Sequence, residues 1–570
     1  MQRAINISVL CLLLLTLLVP ASVSASPAQD ATTPQFRAFW VDAFGPGLYT
    51  PAEIDRLVAD AKAANMNAIV AQIVRRGDCF CNRTMMPRTQ QSGVAPEPFD
   101  PLQYLIDKAH AEGIEVHAWV IATSIWNYVV PPLSPDHVFN QHGPTATGTD
   151  NWLMYRSDGA FRAGSDYLLD PGHPAAADYL VSMFTSIVEN YDVDGVNFDR
   201  IRYPDQNLVN QGVAMPSWGY NPVAVARFQE ATGRTDIPFP TDPDWMQWRR
   251  DQVTNIVRRV YLETTAIRPD IRVSVATITY GYGPVSTPGG FEGTRTYREV
   301  LQDWRGWMEE GIVDINMPMN YKREHYTTEP NNQLRMYEEW NEFAKDNQYD
   351  RHVVIGSSVY LNYITGTVAQ VRKALAPSAA GNPSAGWIAY SYRTPDCFAN
   401  PLPASPECQP KRSGDASRVE LIRALTQPSE YDPIVPPVFA EPVPVPAVPW
   451  KDQPTQGHLM GTVKTPDGEP FDQLLVYLYD AETDELIATR LTDGTGWFGF
   501  ANLDPGRYKV KVDHSRAHGH HSTVTVGVAA GQVATVELTP FKWGEEGNRP
   551  DHSKHGFDPV EPDLLETGER

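Results

Sequence analysis

The sequence is short of positive charge, and it contains no long basic run. Lys and Arg number 47 against 69 Asp and Glu in 570 residues, which gives a formal net charge of −22. Nucleic-acid-binding surfaces need a basic patch or stripe, so we expect no nucleic-acid partner. Hydrophobic residues make up 42% and charged residues 20%, as in a folded soluble chain, and the length predicts two or more domains.

Long apolar runs are confined to the N-terminus. Arg3 precedes an apolar run over residues 5–19, and Val23-Ser24-Ala25 forms a small-residue cleavage site. This pattern predicts a secretory signal peptide at residues 1–25. The run is shorter than the ~20 residues of a spanning helix, and an uncleaved membrane anchor is the alternative. We therefore expect a secreted or cell-surface protein with no membrane span after cleavage.

Cysteine is scarce, and signal cleavage would leave four residues: Cys79, Cys81, Cys397 and Cys408. An even number in an exported protein favours disulfides, with free thiols as the alternative. Cys79 and Cys81 are too close for an easy mutual bridge, so we expect Cys397–Cys408 or cross-pairs between the two clusters.

Signals for metals and cofactors are also missing from the sequence. Cys-x-Cys lacks the two-residue spacer of common zinc sites, and the first predicted strand carries no His-x-His pair. No phosphate-binding glycine loop or nucleophile elbow is present. The sequence therefore predicts neither a metal nor a cofactor.

What the sequence does contain is a long α/β alternation. Eight strand patterns, each followed by a helical pattern, occur at residues 36–44, 67–75, 115–123, 194–199, 272–280, 313–321, 351–360 and 386–392. They predict a (β/α)8 TIM barrel over residues 35–426. A long aromatic-rich segment at 124–171 interrupts the alternation, and segments of this length are usually functional or irregular.

The C-terminal quarter changes character. Residues 427–455 are rich in proline, which predicts a stiff linker. Short strands separated by Pro-Asp-Gly, Asp-Gly-Thr-Gly and Asp-Pro-Gly turns predict a small all-β sandwich at 456–540. The tail at 541–570 is polar and acidic, and it is expected to be disordered.

The fourth strand pattern carries the best catalytic candidate. In the stretch 194–204, Val196 and Phe198 alternate with Asn197 and Asp199 before Pro204 ends the pattern. Asp199 is therefore expected near the carboxyl end of the strand, where TIM-barrel enzymes place their chemistry. The alternative is a structural Asp that caps the next element or pairs with a following arginine.

Other strand ends supply residue types suited to carbohydrate: carboxylates for acid/base work, polar groups for hydroxyls and aromatic faces for sugar rings. Because glycoside hydrolysis commonly needs two carboxyl groups, Glu292 and Asp42 are the candidate partners of Asp199. Asp42 could instead pair with Arg37 or Arg75, and His117 could be a core histidine. The predicted substrate-binding residues are Trp40, Arg75, Asp78, His117, Trp119, Asn197, Arg202, Tyr203, Asn320 and Tyr321.

Several ordered motifs resemble the bacterial glycosyl-hydrolase-like 10 proteins over roughly residues 35–425. They are residues 37–42, 72–78, 99–102, 109–110, 115–119, 194–204 and 314–321. The resemblance implies an exported TIM-barrel glycosidase acting on a cell-envelope or environmental polysaccharide, with Asp199 at the acidic position of strand four. Where many relatives carry a second acidic residue after that Asp, this chain has Arg200. The C-terminal segment resembles the carboxypeptidase-regulatory-like, or transthyretin-like, sandwich.

Two functions follow from these observations. The first is an exported glycoside hydrolase that acts on a polysaccharide or oligosaccharide, with the sandwich as a candidate for cell-wall attachment. The second is a non-catalytic glycan-binding surface protein that keeps the groove but lacks the acid partner. The sequence leaves open the sugar, the linkage and the retaining or inverting outcome.

Overall fold

The computed structural model describes residues 33–45, 47–205, 216–399, 407–514 and 520–542. The predicted signal peptide and nearly all of the predicted disordered tail lie outside these residues. The described residues include no helix that is both long enough and apolar enough to span a membrane.

The N-terminal domain is a closed barrel of eight parallel strands, which confirms the predicted fold. Each strand pairs with its sequence neighbours, and the first pairs with the last, Phe36 lying opposite Gly386. The strands are β1 (Phe36–Val41), β2 (Ala68–Val74), β3 (Glu115–Ile121), β4 (Gly195–Asp199), β5 (Arg272–Ile278), β6 (Ile315–Met319), β7 (His352–Ser358) and β8 (Gly386–Tyr390).

Helices surround the barrel, and several start with the same local chemistry. Thr50 and Asp100 accept hydrogen bonds from the backbone N–H three residues on, and a proline follows each cap. The helices are α1 (Pro51–Ala63), α2 (Pro101–Ala111), α3 (Val138–His142), α4 (Pro174–Asn190), α5 (Pro222–Thr232), α6 (Pro243–Ile267), α7 (Gly290–Gly293), α8 (Arg295–Arg298), α9 (Trp304–Glu310), α10 (Gln333–Asp346), α11 (Ile364–Leu375), α12 (Gly414–Thr426) and α13 (Pro449–Asp452).

The helical pattern that follows the fifth predicted strand, at about residues 296–310, is divided in the structure. Helix α8 ends at Arg298, and at Leu301 φ is +52°. Asp303 then caps α9, its carboxylate accepting from the Gly306 N–H at 3.0 Å. A second helix therefore begins after Asp303, and the helical pattern of the sequence, which is continuous here, does not show this break.

The proline-rich segment packs against the amino-terminal end of the barrel. Its backbone carbonyls at Glu441, Val443 and Pro444 accept hydrogen bonds from Arg37, Asn67 and Gln35 at 2.8 to 3.0 Å. Further along, Trp450 Nε1 donates to the buried Asp314 carboxylate at 2.6 Å. The segment therefore covers polar groups at the base of the barrel instead of standing free.

The C-terminal domain is a two-sheet β-sandwich, as predicted. Its strands are β9 (Gly457–Val463), β10 (Leu475–Asp480), β11 (Leu486–Leu491), β12 (Trp497–Leu503), β13 (Gly506–His514), β14 (His520–Val528), β15 (Val533–Leu538) and β16 (Phe541–Lys542). One sheet has the order β12–β9–β15 and the other β11–β10–β13–β14–β16. The core between them includes Leu459, Val476, Phe498 and Val510.

The sandwich contacts the barrel through charged and apolar groups. Arg227 of α5 forms a two-pronged ion pair with Asp472, with nitrogen–oxygen distances of 2.5 and 2.7 Å. Trp497 of the sandwich is buried in the hydrophobic core of the barrel domain. The two domains therefore share a packed interface.

Two disulfides are present. Cys397 bonds to Cys408 with 5.7 Å between Cα atoms, as the sequence favoured. The expectation that Cys79 and Cys81 would not bridge each other is wrong, because these residues are bonded with 5.0 Å between Cα atoms. Each disulfide therefore joins two cysteines of the same cluster, and the predicted alternative of cross-pairs between the clusters does not occur.

Candidate active site

A cavity of about 400 Å³ opens at the carboxyl end of the barrel. This is the end at which TIM-barrel enzymes carry their catalytic groups. Its wall contains aromatic rings, cations and two carboxylates, including Trp40, Phe44, Gln72, Arg75, Arg76, Trp119, Asp166, Asp199, Arg200, Arg202, Tyr280, Tyr321, Lys322, Tyr360 and Tyr390.

Asp199 is the last residue of β4 and lies at the wall of this cavity, 8% exposed. Its Oδ2 accepts a hydrogen bond from the Trp119 indole at 3.2 Å, and its Oδ1 accepts from the Arg200 backbone N–H at 2.6 Å. The guanidinium groups of Arg200 and Arg202 pair instead with Asp166 and Asp205. Hydrogen bonds from an indole and an amide therefore orient the Asp199 carboxylate.

Asp166 supplies the second carboxylate of the cavity, and sequence reasoning missed it. It lies next to Tyr167–Leu168, which pairs with Ser124–Trp126 in a short antiparallel sheet inside the long segment after β3. Asp166 forms an ion pair with Arg200. Only the position of this acidic residue within the aromatic-rich segment could have pointed to it.

Arg200 connects the two carboxylates. Its backbone has φ of +52°, a left-handed conformation that non-glycine residues seldom adopt, and Thr123 donates to its carbonyl at 2.8 Å. Burial lowers the pKa of Arg200, but the charges of Asp166 and Asp199 outweigh this effect and raise the pKa above its usual value. The site thus contains two carboxylates, one bound by the backbone N–H of Arg200 and the other by its guanidinium.

Aromatic rings form the opposite wall. Tyr321 stacks on Tyr390 with ring centroids 5.2 Å apart, and Trp40 meets both rings edge-on at 6.3 and 6.4 Å. The side-chain nitrogens Trp40 Nε1 and Gln72 Nε2 are buried without a hydrogen-bond partner among the described residues. Flat apolar faces beside unpaired donors suit a ligand with rings and hydroxyl groups.

Family models and known proteins with similarity to this chain identify its family. The family model described as "Glycosyl hydrolase-like 10" matches residues 35–360. The chain belongs to the glycosyl hydrolase-like 10 family. The sandwich, at residues 458–540, matches the model described as "Carboxypeptidase regulatory-like domain".

Curated relatives of this glycosyl hydrolase-like 10 chain include "Glycosyl hydrolase YngK" of Bacillus subtilis (strain 168), 25% identical over 277 residues, or 47% of this chain and 48% of the relative. "Glycosyl hydrolase DigH" of Escherichia coli (strain K12) is 25% identical over 276 residues, or 47% of this chain and 57% of the relative. The chain thus spans about half the length of the curated relatives it matches.

One solved structure that is similar to this chain is the PgaB (BpsB) glycoside hydrolase domain from Bordetella bronchiseptica. The identity is 16% and the TM-score 0.45, and the match covers 68% of this chain and 98% of that domain.

Six of the predicted residues of this glycosyl hydrolase-like 10 barrel line the cavity: Trp40, Arg75, Trp119, Asp199, Arg202 and Tyr321. Gln72, Asp166, Arg200, Lys322, Tyr360 and Tyr390 join them, although the sequence analysis did not propose them as site residues. Lys322 directly follows the predicted Tyr321, and Tyr390 ends β8, two residues before the end of the eighth predicted strand pattern. The strand-end rule could therefore have found both.

Neither predicted partner carboxylate lines the cavity. Asp42 is buried behind it, where Oδ1 accepts from Arg393 Nε at 3.0 Å and from the Phe44 N–H at 3.2 Å. Glu292 lies on α7, half-exposed, and forms an ion pair with Arg305. The catalytic roles of both residues stay predictions, and the geometry favours Asp166 over either.

Five predicted binding residues also lie outside the cavity wall. His117 and Asn197 are inside the barrel below it, where His117 contacts Glu115 at 3.2 Å and Asn197 donates to Ser274 at 2.8 Å. The remaining three make other contacts: Asp78 with Thr89, Asn320 with Asn341 and the Tyr337 carbonyl, and Tyr203 with the guanidinium of Arg249.

Proposed function

We propose that this protein is an exported glycoside hydrolase that cleaves O-glycosidic bonds of a polysaccharide, with cell-wall glycan as one candidate substrate. The observation that carries the proposal is the Asp199 carboxylate, oriented by Trp119 at the wall of a cavity that also contains Asp166 and stacked aromatic rings. Membership of a glycosyl hydrolase-like family and relatives named glycosyl hydrolases support it.

The chemistry follows from two carboxyl groups with different tasks. One attacks the anomeric carbon or activates a water, and the other protonates the leaving oxygen. We assign the first task to Asp199, whose two oxygens both accept hydrogen bonds. Asp166 is the candidate for the second task, and Arg200 would have to release it when the glycan enters.

Export and attachment belong to the same proposal. The predicted signal peptide agrees with the two disulfides, since such bonds persist in oxidising compartments.

The carboxypeptidase regulatory-like sandwich is the candidate for holding the enzyme at the cell wall. Loss of cell-wall pull-down on deletion of residues 456–542 would test that role.

The decisive experiment measures reducing-end release by the full mature chain from a panel of polysaccharides that includes peptide-stripped peptidoglycan. Asp199→Asn and Asp166→Asn are expected to lower release at least about 100-fold, as removal of a catalytic group does. Asp192→Asn is the matched control, because Asp192 is exposed near the opposite end of β4 and pairs with Arg268. Circular dichroism checks the fold, and unchanged release by Asp199→Asn would refute the proposal.

A second function is favoured by one observation: Asp166 is paired with Arg200 and not free. A glycan-binding protein without catalysis would tolerate that pairing. This alternative would be supported if the wild-type chain bound polysaccharides but released reducing ends from none of them.

If the protein does release a product, proton NMR of that product would report whether the anomeric configuration is retained or inverted.

A further inference from the structure

The cavity is cationic, although the chain as a whole is acidic. Five cationic side chains line it, Arg75, Arg76, Arg200, Arg202 and Lys322, against the carboxylates Asp166 and Asp199. The formal net charge of −22 repels anions at long range. The positive excess is therefore a local property of the cavity and not a consequence of composition.

Three of these cations form no ion pair with a carboxylate of the described residues. Arg75 donates to the Ala43 carbonyl and to Gln91 Oε1, both neutral, and its buried Nε has no partner there. Lys322 is 7% exposed, and its Nζ lies 2.7 Å from the Thr279 carbonyl. Because a buried charge without a counter-ion is costly, the cavity favours an anion.

Arg76 adds a like charge beside Arg75. Its guanidinium stacks on Tyr128 at 4.9 Å and donates to the Tyr128 hydroxyl at 3.4 Å. Burial lowers the pKa of Arg76, and the positive charge of Arg75 lowers it further, while Tyr128 and Asp78 act in the opposite direction. An anion bound between the two arginines would relieve this repulsion.

The unpaired cations stand on opposite sides of the barrel. Arg75 and Arg76 follow β2, and Lys322 follows β6, which is four strands away in the closed order of eight. Asp199 ends β4, midway between them. A chain crossing the cavity past Asp199 therefore meets positive charge before and after the carboxylate.

We propose that the ligand of this cavity is an anionic glycan whose sugars carry carboxylate groups on both sides of the bond that faces Asp199. The location of that bond rests on the proposed function, whereas the preference for carboxylated sugars rests on the unpaired cations. Arg75 and Arg76 bind one carboxylate and Lys322 binds another. The stacked Tyr321 and Tyr390 supply the flat surface between them.

A neighbouring cavity of about 360 Å³ extends the same surface. It shares Asp166, Arg200 and Arg202 with the first cavity and adds Arg156, Arg162, Asp205 and the ring of Trp218, so that four arginines face two carboxylates. Two cationic cavities joined at the Asp166–Arg200 pair fit a polymer better than a single sugar.

The test measures binding by the full mature chain carrying Asp199→Asn, so that no substrate is consumed. Isothermal titration compares polygalacturonate, alginate and peptide-stripped peptidoglycan, each with its own methyl ester, which keeps the linkage and removes the charge. At least one acidic form is expected to bind about tenfold or more tightly than its ester, since the ester cannot form the charge-assisted hydrogen bonds of a carboxylate.

Variants locate the effect. Arg75→Gln and Lys322→Met should each reduce the preference for the acidic form about tenfold, and Arg76→Gln, at a less buried position, covers the case in which a buried variant fails to fold. Arg507→Gln is the matched control, because it removes one positive charge from the exposed surface of the sandwich and should leave the preference unchanged.

Two outcomes would overturn the inference: equal binding of acid and ester for every polymer, including no binding of either, or an unchanged preference in all folded cavity variants.

Other outcomes distinguish this inference from the proposed function. If the protein binds acidic glycans selectively but the wild-type chain releases no reducing ends, the inference holds and the proposed glycosidase activity is refuted. If the wild-type chain releases reducing ends only from neutral polysaccharides and shows no charge preference, the glycosidase activity holds and the inference is refuted.

Discussion

The Trp119 indole donates a hydrogen bond to Oδ2 of Asp199, with 3.2 Å between the heavy atoms. The two residues lie on neighbouring strands, where Asp199 is in register with Ile121, two positions beyond Trp119. The indole therefore reaches forward along the barrel axis to the carboxylate while its ring lines the cavity. One side chain thus orients the proposed nucleophile or base and also forms part of the sugar-binding wall.

Replacement of Trp119 by Phe separates these two roles. Phe keeps an aromatic face but loses the donor, so kcat should fall about 10- to 100-fold, in line with the ~1.5–3 kcal/mol of a hydrogen bond to a charged group. KM should change little. Trp126→Phe is the matched control, because the Trp126 indole donates to the Val130 carbonyl outside this site. Wild-type kcat in Trp119→Phe would show that the hydrogen bond has no part in catalysis.

Two substitutions at Arg200 can distinguish the contribution of its backbone conformation from that of its guanidinium. At its φ of +52°, glycine is unstrained and alanine is not. Arg200→Gly should therefore be more stable to urea than Arg200→Ala by about 1 kcal/mol. Glycan release should change to a similar extent in both variants, because both lack the guanidinium that pairs with Asp166. A clear difference in release between the two variants would make the backbone conformation the functional feature and not the ion pair.

The fold was predictable because strand and helix periods are written into the sequence. Eight apolar strand patterns and repeated cap-and-proline starts specify the barrel. Asp199 lies at the carboxyl end of β4, as predicted from Pro204, which ends the strand pattern shortly after it. The alternation of side chains along a strand shows which face a residue is on, but not how far along the barrel axis it lies. His117, in register with Gly195 at the start of β4, is consequently buried below the cavity.

Two other features had no sequence signal. On β6, the apolar Ile315 and Met317 face the barrel interior, whereas Asn320 points to Asn341 of α10. The prediction of Asn320 as a substrate-binding residue requires the polar face of this strand to point inward, but in this barrel methionine and isoleucine fill the interior. Asp166 belongs to a segment without periodicity, so only the folded chain brings it to Arg200.

The proline-rich segment should be needed for barrel stability. Ending the chain at residue 426 removes Trp450 and Lys451, which contact the two oxygens of the buried Asp314 carboxylate at 2.6 and 3.5 Å. A chain of residues 26–426 should therefore melt ~2 °C or more below one of residues 26–455, which for a chain of this length is equivalent to about 2 kcal/mol. Differential scanning calorimetry measures both. Equal melting temperatures would mean that the segment covers the barrel without stabilising it.

Binding of a carboxylated glycan should weaken as pH rises from about 6 to about 9. Burial lowers the pKa of Lys322 to about 7, so its ammonium is lost over this range in the free protein. A bound carboxylate favours the ammonium, so binding takes up a proton and affinity falls above the free pKa, by at most about tenfold per pH unit. Burial raises the pKa of Tyr321 and of Tyr390 above 10, which keeps both phenols neutral. Lys322→Arg stays charged throughout, so titration calorimetry should show a flatter profile for it, and identical profiles would exclude Lys322 as the carboxylate-binding group.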